Sequence, residues 1–171
     1  MYNRNTSMRE VIGVFDVKEL ACYIKKQYFD FASEEISPIK LQKSLYFLFA
    51  YWGGFVQKGI NNPDFSEEKF SENDRYLYNA RIEAWIYGPV IPDVYRDINL
   101  DSHCNDNLFD TRDDIKKYVD DFLRDTFEVS DFKLVESAHN DEAWKSKFSL
   151  SNEFHNREID KEELINEYAL K

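Results

Sequence analysis

The amino-acid sequence predicts a mainly α-helical, compact domain with a small β element of two or three strands. Apolar residues recur at helical spacing through most of the chain, and residues that favour helix starts precede these segments. Only 5 glycines and 4 prolines occur among 171 residues, which argues against a loop-rich all-β fold. One short segment instead alternates apolar and polar residues as a strand does.

Two helices are predicted in the N-terminal half. The first begins near Asp16, where Glu19 stands three residues on as in a capping box. The second begins at Ser37-Pro38, because serine caps a helix and proline fits its first position. Apolar residues surround the second half of this helix, which predicts that it is buried at the centre of the domain. The pair Gly53-Gly54 is expected either to end the helix or to let another backbone approach closely.

The β element is expected between the second helix and residue 90. Residues 59–79 are polar and contain a turn, with Phe65 and Phe70 as candidates for a short strand. The alternation in "NARIEAWIYG" predicts a strand that forms half of a small hairpin. Gly88-Pro89 is expected to break this strand, and Pro92 to begin a short helix that reaches about Ile98.

Four further helices are predicted from their start signals. Acidic residues in these first turns suit the helix dipole, so they need no catalytic explanation. The expected starts are Thr111 with Asp114, Ser130, Asn140 or Asp141 before Trp144, and Asp160 with Glu163.

The expected organisation is a loosely ordered leader at residues 1–15 followed by a single domain at residues 16–171. Hydrophobic residues make up 43% of the chain and aromatic residues 16%, enough to build a core. Neither repeats nor linkers are apparent in the sequence.

The formal net charge of -11 makes direct binding to nucleic acid improbable, because the chain repels phosphate at long range. A basic protein partner suits this charge, although acidity also serves solubility alone. The most apolar run, Leu45–Val56, is shorter than the roughly 20 residues that a membrane-spanning helix needs. The N-terminus lacks the apolar core of a signal peptide. Cys22 and Cys104 do not suggest a disulfide framework. A soluble protein in the reducing cytoplasm is therefore expected, with its oligomeric state open.

Motifs for chemistry are largely missing from the sequence. It contains no Gly-rich phosphate loop, CxxC, GxSxG or HExxH. His103 beside Cys104 supplies two metal ligands, which do not make a site. An enzymatic alternative places His139, Glu142 and Lys43 around a pocket, but His139 is more simply a residue that fixes a turn. Lys43 is more simply a solvated lysine. We expect no enzyme activity, cofactor or metal.

The segment "IEAWIYGPVIPDVY", Ile82–Tyr95, is interpreted as a rigid strand–turn–helix corner. Gly88 suits a tight turn, and the two prolines stiffen the backbone. A stiff corner edged with aromatic residues is first a scaffold and second a protein-docking surface. The candidate partner-binding residues are Trp85, Tyr87, Pro89, Asp93, Tyr95 and Lys43. The candidate structural residues are Gln42, Tyr46, Glu83, Gly88, His139 and Trp144.

Three blocks carry a resemblance to a known family: "LQKSLYFLFAYW" (Leu41–Trp52), "IEAWIYGPVIPDVY", and "LVESAHNDEAW" (Leu134–Trp144). In this order they resemble the Panacea domain, which includes SocA-like antitoxins and phage-associated GepA proteins. The resemblance spans about Leu20 to Tyr168. The sequence departs from the family's pattern in a longer 59–79 segment and at three positions: Ser44 stands for Leu, Ala138 for Thr and Ala143 for Pro.

The resemblance implies a helical domain with a strand pair that acts as a non-enzymatic antitoxin, neutralising its cognate toxin by direct contact. Two alternatives remain open. One is a phage or prophage counter-defence protein that inhibits a host protein or mimics nucleic acid. The other is an adaptor that delivers the toxin to a protease.

Overall fold

A computed structural model describes residues 11–148 and 157–171. Within them, seven α-helices surround a two-stranded antiparallel sheet, which confirms the predicted mainly α fold with a minor β element. None of the helices in this part of the chain combines the length and apolar character needed to cross a bilayer. The elements are α1 (Val17–Ala32), α2 (Pro38–Asn61), β1 (Glu83–Trp85), β2 (Gly88–Val90), α3 (Pro92–Tyr95), α4 (Asp113–Phe127), α5 (Asp131–His139), α6 (Glu142–Lys145) and α7 (Lys161–Ala169).

Most helix starts are the predicted ones. The side chains of Asp16, Ser37, Ser130 and Asp160 each accept hydrogen bonds from backbone N–H groups of the first turn. The start of α4 differs: Arg112 takes the cap position without a side-chain cap bond. Its guanidinium instead pairs with Asp74 at 2.8 Å and with Asp114 at 3.1 Å.

Helix α2 is the centre of the core, as its apolar character predicts. Leu45, Phe49 and Trp52 are fully buried on it, and α7 packs along it. A Cβ on Gly53 would lie 2.6 Å from Ile165 Cγ1, and one on Gly54 would lie 2.8 Å from the backbone carbon of Tyr168. The glycine pair therefore does not end the helix but lets α7 approach it.

The predicted leader is wrong for residues 11–15. The backbone N–H groups of Val14 and Phe15 donate to the carbonyls of Tyr76 and Leu77 at 2.9 and 2.8 Å. Phe15 is buried against the edge of Phe109. This part of the chain is attached to the domain, and residues 1–10 lie outside the described residues.

The β element differs from the prediction in the strand that pairs with β1. Trp85 pairs with Gly88, so Ile86-Tyr87 is a two-residue loop, and β2 begins at the residue expected to break the strand. Phe65 and Phe70 are outside strands and pack against aromatic residues of α2. Gly88, the first residue of β2, has φ +102°, a backbone conformation that suits glycine. The part of the turn that needs glycine therefore lies directly after the two-residue loop. The following helix α3 ends at Tyr95 rather than Ile98.

The structure also corrects the expectation of two unpaired cysteines. Cys22 on α1 and Cys104 in the loop before α4 form a disulfide, and their Cα atoms lie 5.3 Å apart. The sequence could not indicate this pairing, because 82 positions separate the two residues.

Candidate functional site

The three blocks that carry the resemblance meet at the β1–β2 hairpin. Block one contributes side chains of α2, block two is the hairpin itself, and block three contributes side chains of α5 and α6. Most of their contacts with the hairpin are hydrogen bonds from a side chain to a backbone group. The sequence blocks therefore correspond to one structural unit. We call the side chains that hold the β1–β2 hairpin, those of Gln42, Lys43, His139 and Trp144, the hairpin clamp.

From α2, Lys43 and Gln42 hold the inner side of the hairpin. Lys43 Nζ donates to the carbonyl of Pro89 at 2.8 Å. Gln42 Oε1 accepts from the backbone N–H of Ile91 at 2.8 Å, and its Nε2 donates to the carbonyl of the same residue at 3.4 Å. These bonds fix the joint between β2 and α3 because they satisfy buried backbone groups that have no strand partner there.

Lys43 is only 2% exposed, so the expectation of a solvated lysine is wrong. Burial lowers the pKa of its ammonium group to about 8. A Cβ on Gly88 would lie 3.0 Å from Lys43 Cε and 3.4 Å from Ala138 Cβ. Glycine is thus required at position 88 both for its backbone conformation and for the space that the lysine occupies.

From α5 and α6, His139 and Trp144 hold the outer side of the hairpin. His139 Nε2 lies 3.0 Å from the carbonyl oxygen of Ile86. Because a carbonyl only accepts, Nε2 carries the proton in this bond. Trp144 Nε1 donates to the carbonyl of Trp85 at 2.9 Å, and the two donor rings stack with centroids 4.2 Å apart. His139 thus bonds to the backbone of the two-residue loop Ile86-Tyr87.

Glu83 holds the open end of the hairpin. Its carboxylate is largely buried and accepts from Arg81 Nε at 3.0 Å and from Trp85 Nε1 at 3.1 Å. The free edge of β1 is covered by the chain before α7: Ala84 N–H donates to the carbonyl of Arg157, and Ile159 N–H donates to that of Ile82, both at 2.8 Å. The edge is therefore not available for pairing with another strand.

A buried carboxylate next to the clamp was not predicted from the sequence. Asp141 is 1% exposed, and its Oδ2 accepts from Tyr46 and Tyr168 hydroxyls at 2.6 and 2.7 Å. Lys171 Nζ lies 3.0 Å from its Oδ1. Burial, together with the nearby charge of Asp141, raises the pKa of both tyrosine hydroxyls. In the sequence, Asp141 signals only a helix start, and its role depends on partners from distant helices.

The outward side of this unit is apolar and accessible. Tyr87 is 65% exposed, Tyr95 57% and Ile86 53%. Trp85, which is half-buried, meets the Tyr95 ring edge-on at a centroid distance of 5.0 Å. Arg96 lies over the Trp85 ring at 5.9 Å. We call Ile86, Tyr87, Tyr95 and the edge of Trp85 the hairpin face.

The six candidate partner-binding residues differ in their exposure to solvent. Tyr87, Asp93 and Tyr95 are exposed and Trp85 is half-buried, whereas Pro89 and Lys43 are buried. A buried residue does not present a surface to a partner, so the prediction is wrong for Pro89 and Lys43. Both belong with the structural residues of the clamp, because one accepts the hydrogen bond that the other donates.

The residues of the enzymatic alternative have separate partners. Lys43 bonds to Pro89 and His139 to Ile86, while the side chain of Glu142 is 78% exposed and lies 3.4 Å from Lys145. His103 pairs with Asp97 at 3.0 Å. Across residues 11–148 and 157–171, no group of three or more His, Cys, Asp or Glu side chains is placed to hold a metal. The third histidine, His155, lies outside the described residues.

Searches with known family models, curated proteins and solved structures each returned no match for this chain.

Proposed function

We propose that this chain is a non-enzymatic antitoxin that neutralises a cognate protein toxin by direct contact through the hairpin face. One observation carries the proposal: the clamp fixes the hairpin from both sides, and its tip still presents exposed apolar side chains. Ile86 is 53% exposed and Tyr87 is 65% exposed, while the carbonyls of Ile86 and Trp85 accept hydrogen bonds from His139 and Trp144. A rigid aromatic surface costs little conformational entropy on binding.

The chemistry of the face suits a protein partner. Tyrosine and tryptophan are the residues that most often dominate binding energy at protein interfaces. The net charge of -11 adds long-range attraction toward a basic toxin and repulsion from nucleic acid. We place this interaction in the cytoplasm, and the resemblance to the Panacea domain supports the same function.

The test is co-expression with the product of the neighbouring gene. The wild-type chain should restore growth and co-purify with that product at a fixed ratio. The double variant Ile86→Ser/Tyr87→Ser should weaken binding by roughly 30-fold or more, because it removes two exposed apolar contacts at the centre of the face. If the neighbouring product is harmless alone and does not co-purify, the antitoxin proposal fails.

Phe132→Ser is the matched control for this experiment. Phe132 is also apolar and 79% exposed, but it lies at the opposite end of α5 from His139. The control variant should bind the toxin as the wild type does. Equal losses in both variants would mean that the hairpin face has no special role.

Two further measurements separate the alternatives. A toxin half-life that falls when this chain and a protease are both present would indicate a protease adaptor. Binding to a host nuclease that competing DNA displaces would indicate a counter-defence mimic of nucleic acid.

A further inference from the structure

The disulfide joins two cysteines with unequal access to solvent. Cys22 on α1 is 1% exposed, whereas Cys104 directly follows the short helical turn Leu100–His103 and is half-buried. The Cα separation of 5.3 Å lies within the range that disulfides span in proteins. Of the two cysteines, Cys104 is therefore the more accessible to an outside reactant.

Cys104 stands in a short segment, residues 101–107, which we call the cysteine loop. Leu100 and Leu108 are buried at its two ends. Between them, apart from the disulfide, the loop is joined to α1 by exposed polar contacts. These are Lys25 with Asp101, Lys26 with Asp106 at 3.3 Å, and Asn105 with Glu19 at 3.3 Å. Exposed contacts of this kind contribute little to stability, so the disulfide is the main attachment of the loop.

Two cavities meet at Cys104. One has a volume of about 450 Å³ and a wall that includes Tyr23 and Phe109. The other, of about 520 Å³, is lined by both cysteines together with Phe29 and Ile36. Small molecules thus have room beside the sulfur of Cys104 without a change in the packed core.

We propose that Cys22 and Cys104 form a reversible redox clasp, in which Cys104 exchanges with low-molecular-weight disulfides such as oxidised glutathione. In reducing compartments, disulfides in most organisms are transient and redox-sensing rather than structural. An accessible cysteine beside a buried partner has the arrangement of an attacking and a resolving thiol.

The exchange balances in two steps. The Cys104 thiolate attacks one sulfur of oxidised glutathione, so a mixed disulfide forms and one glutathione thiolate leaves. The Cys22 thiolate then attacks Cys104 Sγ, which closes the protein disulfide and releases the second glutathione. Two protein thiols are oxidised, one glutathione disulfide is reduced, and the two thiol protons go to solvent.

The consequence of reduction is local. With the disulfide open, the cysteine loop keeps its buried ends at Leu100 and Leu108 but loses its central attachment to α1. The hydrogen bonds that Gln42, Lys43, His139 and Trp144 make to the hairpin involve neither cysteine, so they persist on reduction. The redox state therefore changes the walls of the two cavities and not the fold. This inference rests on the cytoplasmic location given under the proposed function, but not on antitoxin activity.

The experiment equilibrates the full chain in buffers of varied reduced-to-oxidised glutathione ratio. The disulfide fraction is read by alkylation and intact mass, and hydrogen exchange is compared between the two end states. The folded protein should convert fully in both directions. Amide exchange in residues 101–107 should become at least about tenfold faster on reduction, while the amides of α2 and α7 remain the most protected in the chain.

Three results would overturn the proposal. The first is a disulfide that never forms in oxidised glutathione. The second is a disulfide that glutathione reduces only after the protein unfolds, which would make it a structural bond. The third is a reduced protein that is unfolded, in which the amides of α2 and α7 are no longer protected from exchange.

Single substitutions show which cysteine attacks oxidised glutathione and which cysteine resolves the mixed disulfide. Cys22→Ser should accumulate a mixed disulfide of glutathione on Cys104, because the resolving thiol is missing. Cys104→Ser should leave Cys22 unmodified, since that sulfur is buried. Should either variant fail to fold, the rates of alkylation in the reduced wild type give the same answer: Cys104 must react before Cys22, and the reverse order contradicts the assignment.

Discussion

The hairpin and the cysteine loop are both short segments that lie against α-helices, and they are attached in different ways. Side-chain hydrogen bonds to backbone carbonyls hold the hairpin, with Lys43, His139 and Trp144 as donors. One covalent bond and a few exposed polar contacts hold the cysteine loop. The hairpin is therefore rigid whenever the chain is folded, whereas the loop's attachment depends on chemical conditions.

The two attachments also act on different states of the chain, one on the folded state and the other on the unfolded state. Hydrogen bonds of the clamp stabilise the folded state, because breaking a bond of Lys43 or Gln42 leaves a buried polar group without a partner. A disulfide acts mainly by restricting the unfolded chain. Four measurements test this contrast, in order of decreasing expected effect.

The largest effect should come from the disulfide. Cys104→Ser removes a bond that closes a loop across a sequence separation of 82, and should lower the free energy of unfolding by about 4 kcal/mol relative to the oxidised wild type. Denaturation in urea measures this difference. When both proteins are denatured under reducing conditions, their free energies of unfolding should be almost equal. A large remaining difference would mean that the residue at position 104 matters for packing instead.

Gly88→Ala should lower the free energy of unfolding by about 3 kcal/mol, because a side chain at φ +102° is strained and its Cβ meets Lys43 Cε at 3.0 Å. Gly59→Ala is the matched control, since a Cβ there has no atom within 4 Å and glycine is unfavourable in a helix. The control should be neutral or more stable in the same denaturation experiment. Similar costs in the two variants would contradict a special role for the hairpin turn.

Lys43 should make stability depend on pH. Its pKa of about 8 in the folded protein lies below the 10.5 of an unperturbed lysine, so the unfolded chain binds more protons between these values. The contribution of Lys43 to stability should therefore rise by about 3 kcal/mol as pH increases from about 8 to 10.5. Lys43→Met should lack this rise when the two proteins are denatured across the same pH series, and an identical slope in both would show that Lys43 is not the group responsible.

The smallest effect should come from an exposed contact of the cysteine loop. Lys25→Ala breaks the pair with Asp101, whose side chain is 77% exposed, and should change the free energy of unfolding by about 0.5 kcal/mol or less. The substitution should change the free energy of unfolding by the same small amount in the oxidised and in the reduced protein. A cost near that of Gly88→Ala would mean that exposed pairs, and not the disulfide, hold the loop.

Local sequence predicted the helices well, because their start signals act within a few residues. Asp16, Ser37, Ser130 and Asp160 all cap the helices that they were expected to begin. The burial of α2 followed from apolar residues on all its sides. Arg112 at the start of α4 departs from this pattern, since its partner Asp74 is distant in sequence.

The sequence by itself determined the fold class, the helix starts and the stiff corner at Ile82–Tyr95, since propensity, capping and turn chemistry are local properties. Tertiary structure alone decided that Lys43 is buried, that Asp141 binds two tyrosines, and that Cys22 meets Cys104. The physical reason is the same in each case. A buried polar group or a thiol takes its role from its partner, and these partners come together only when distant helices pack.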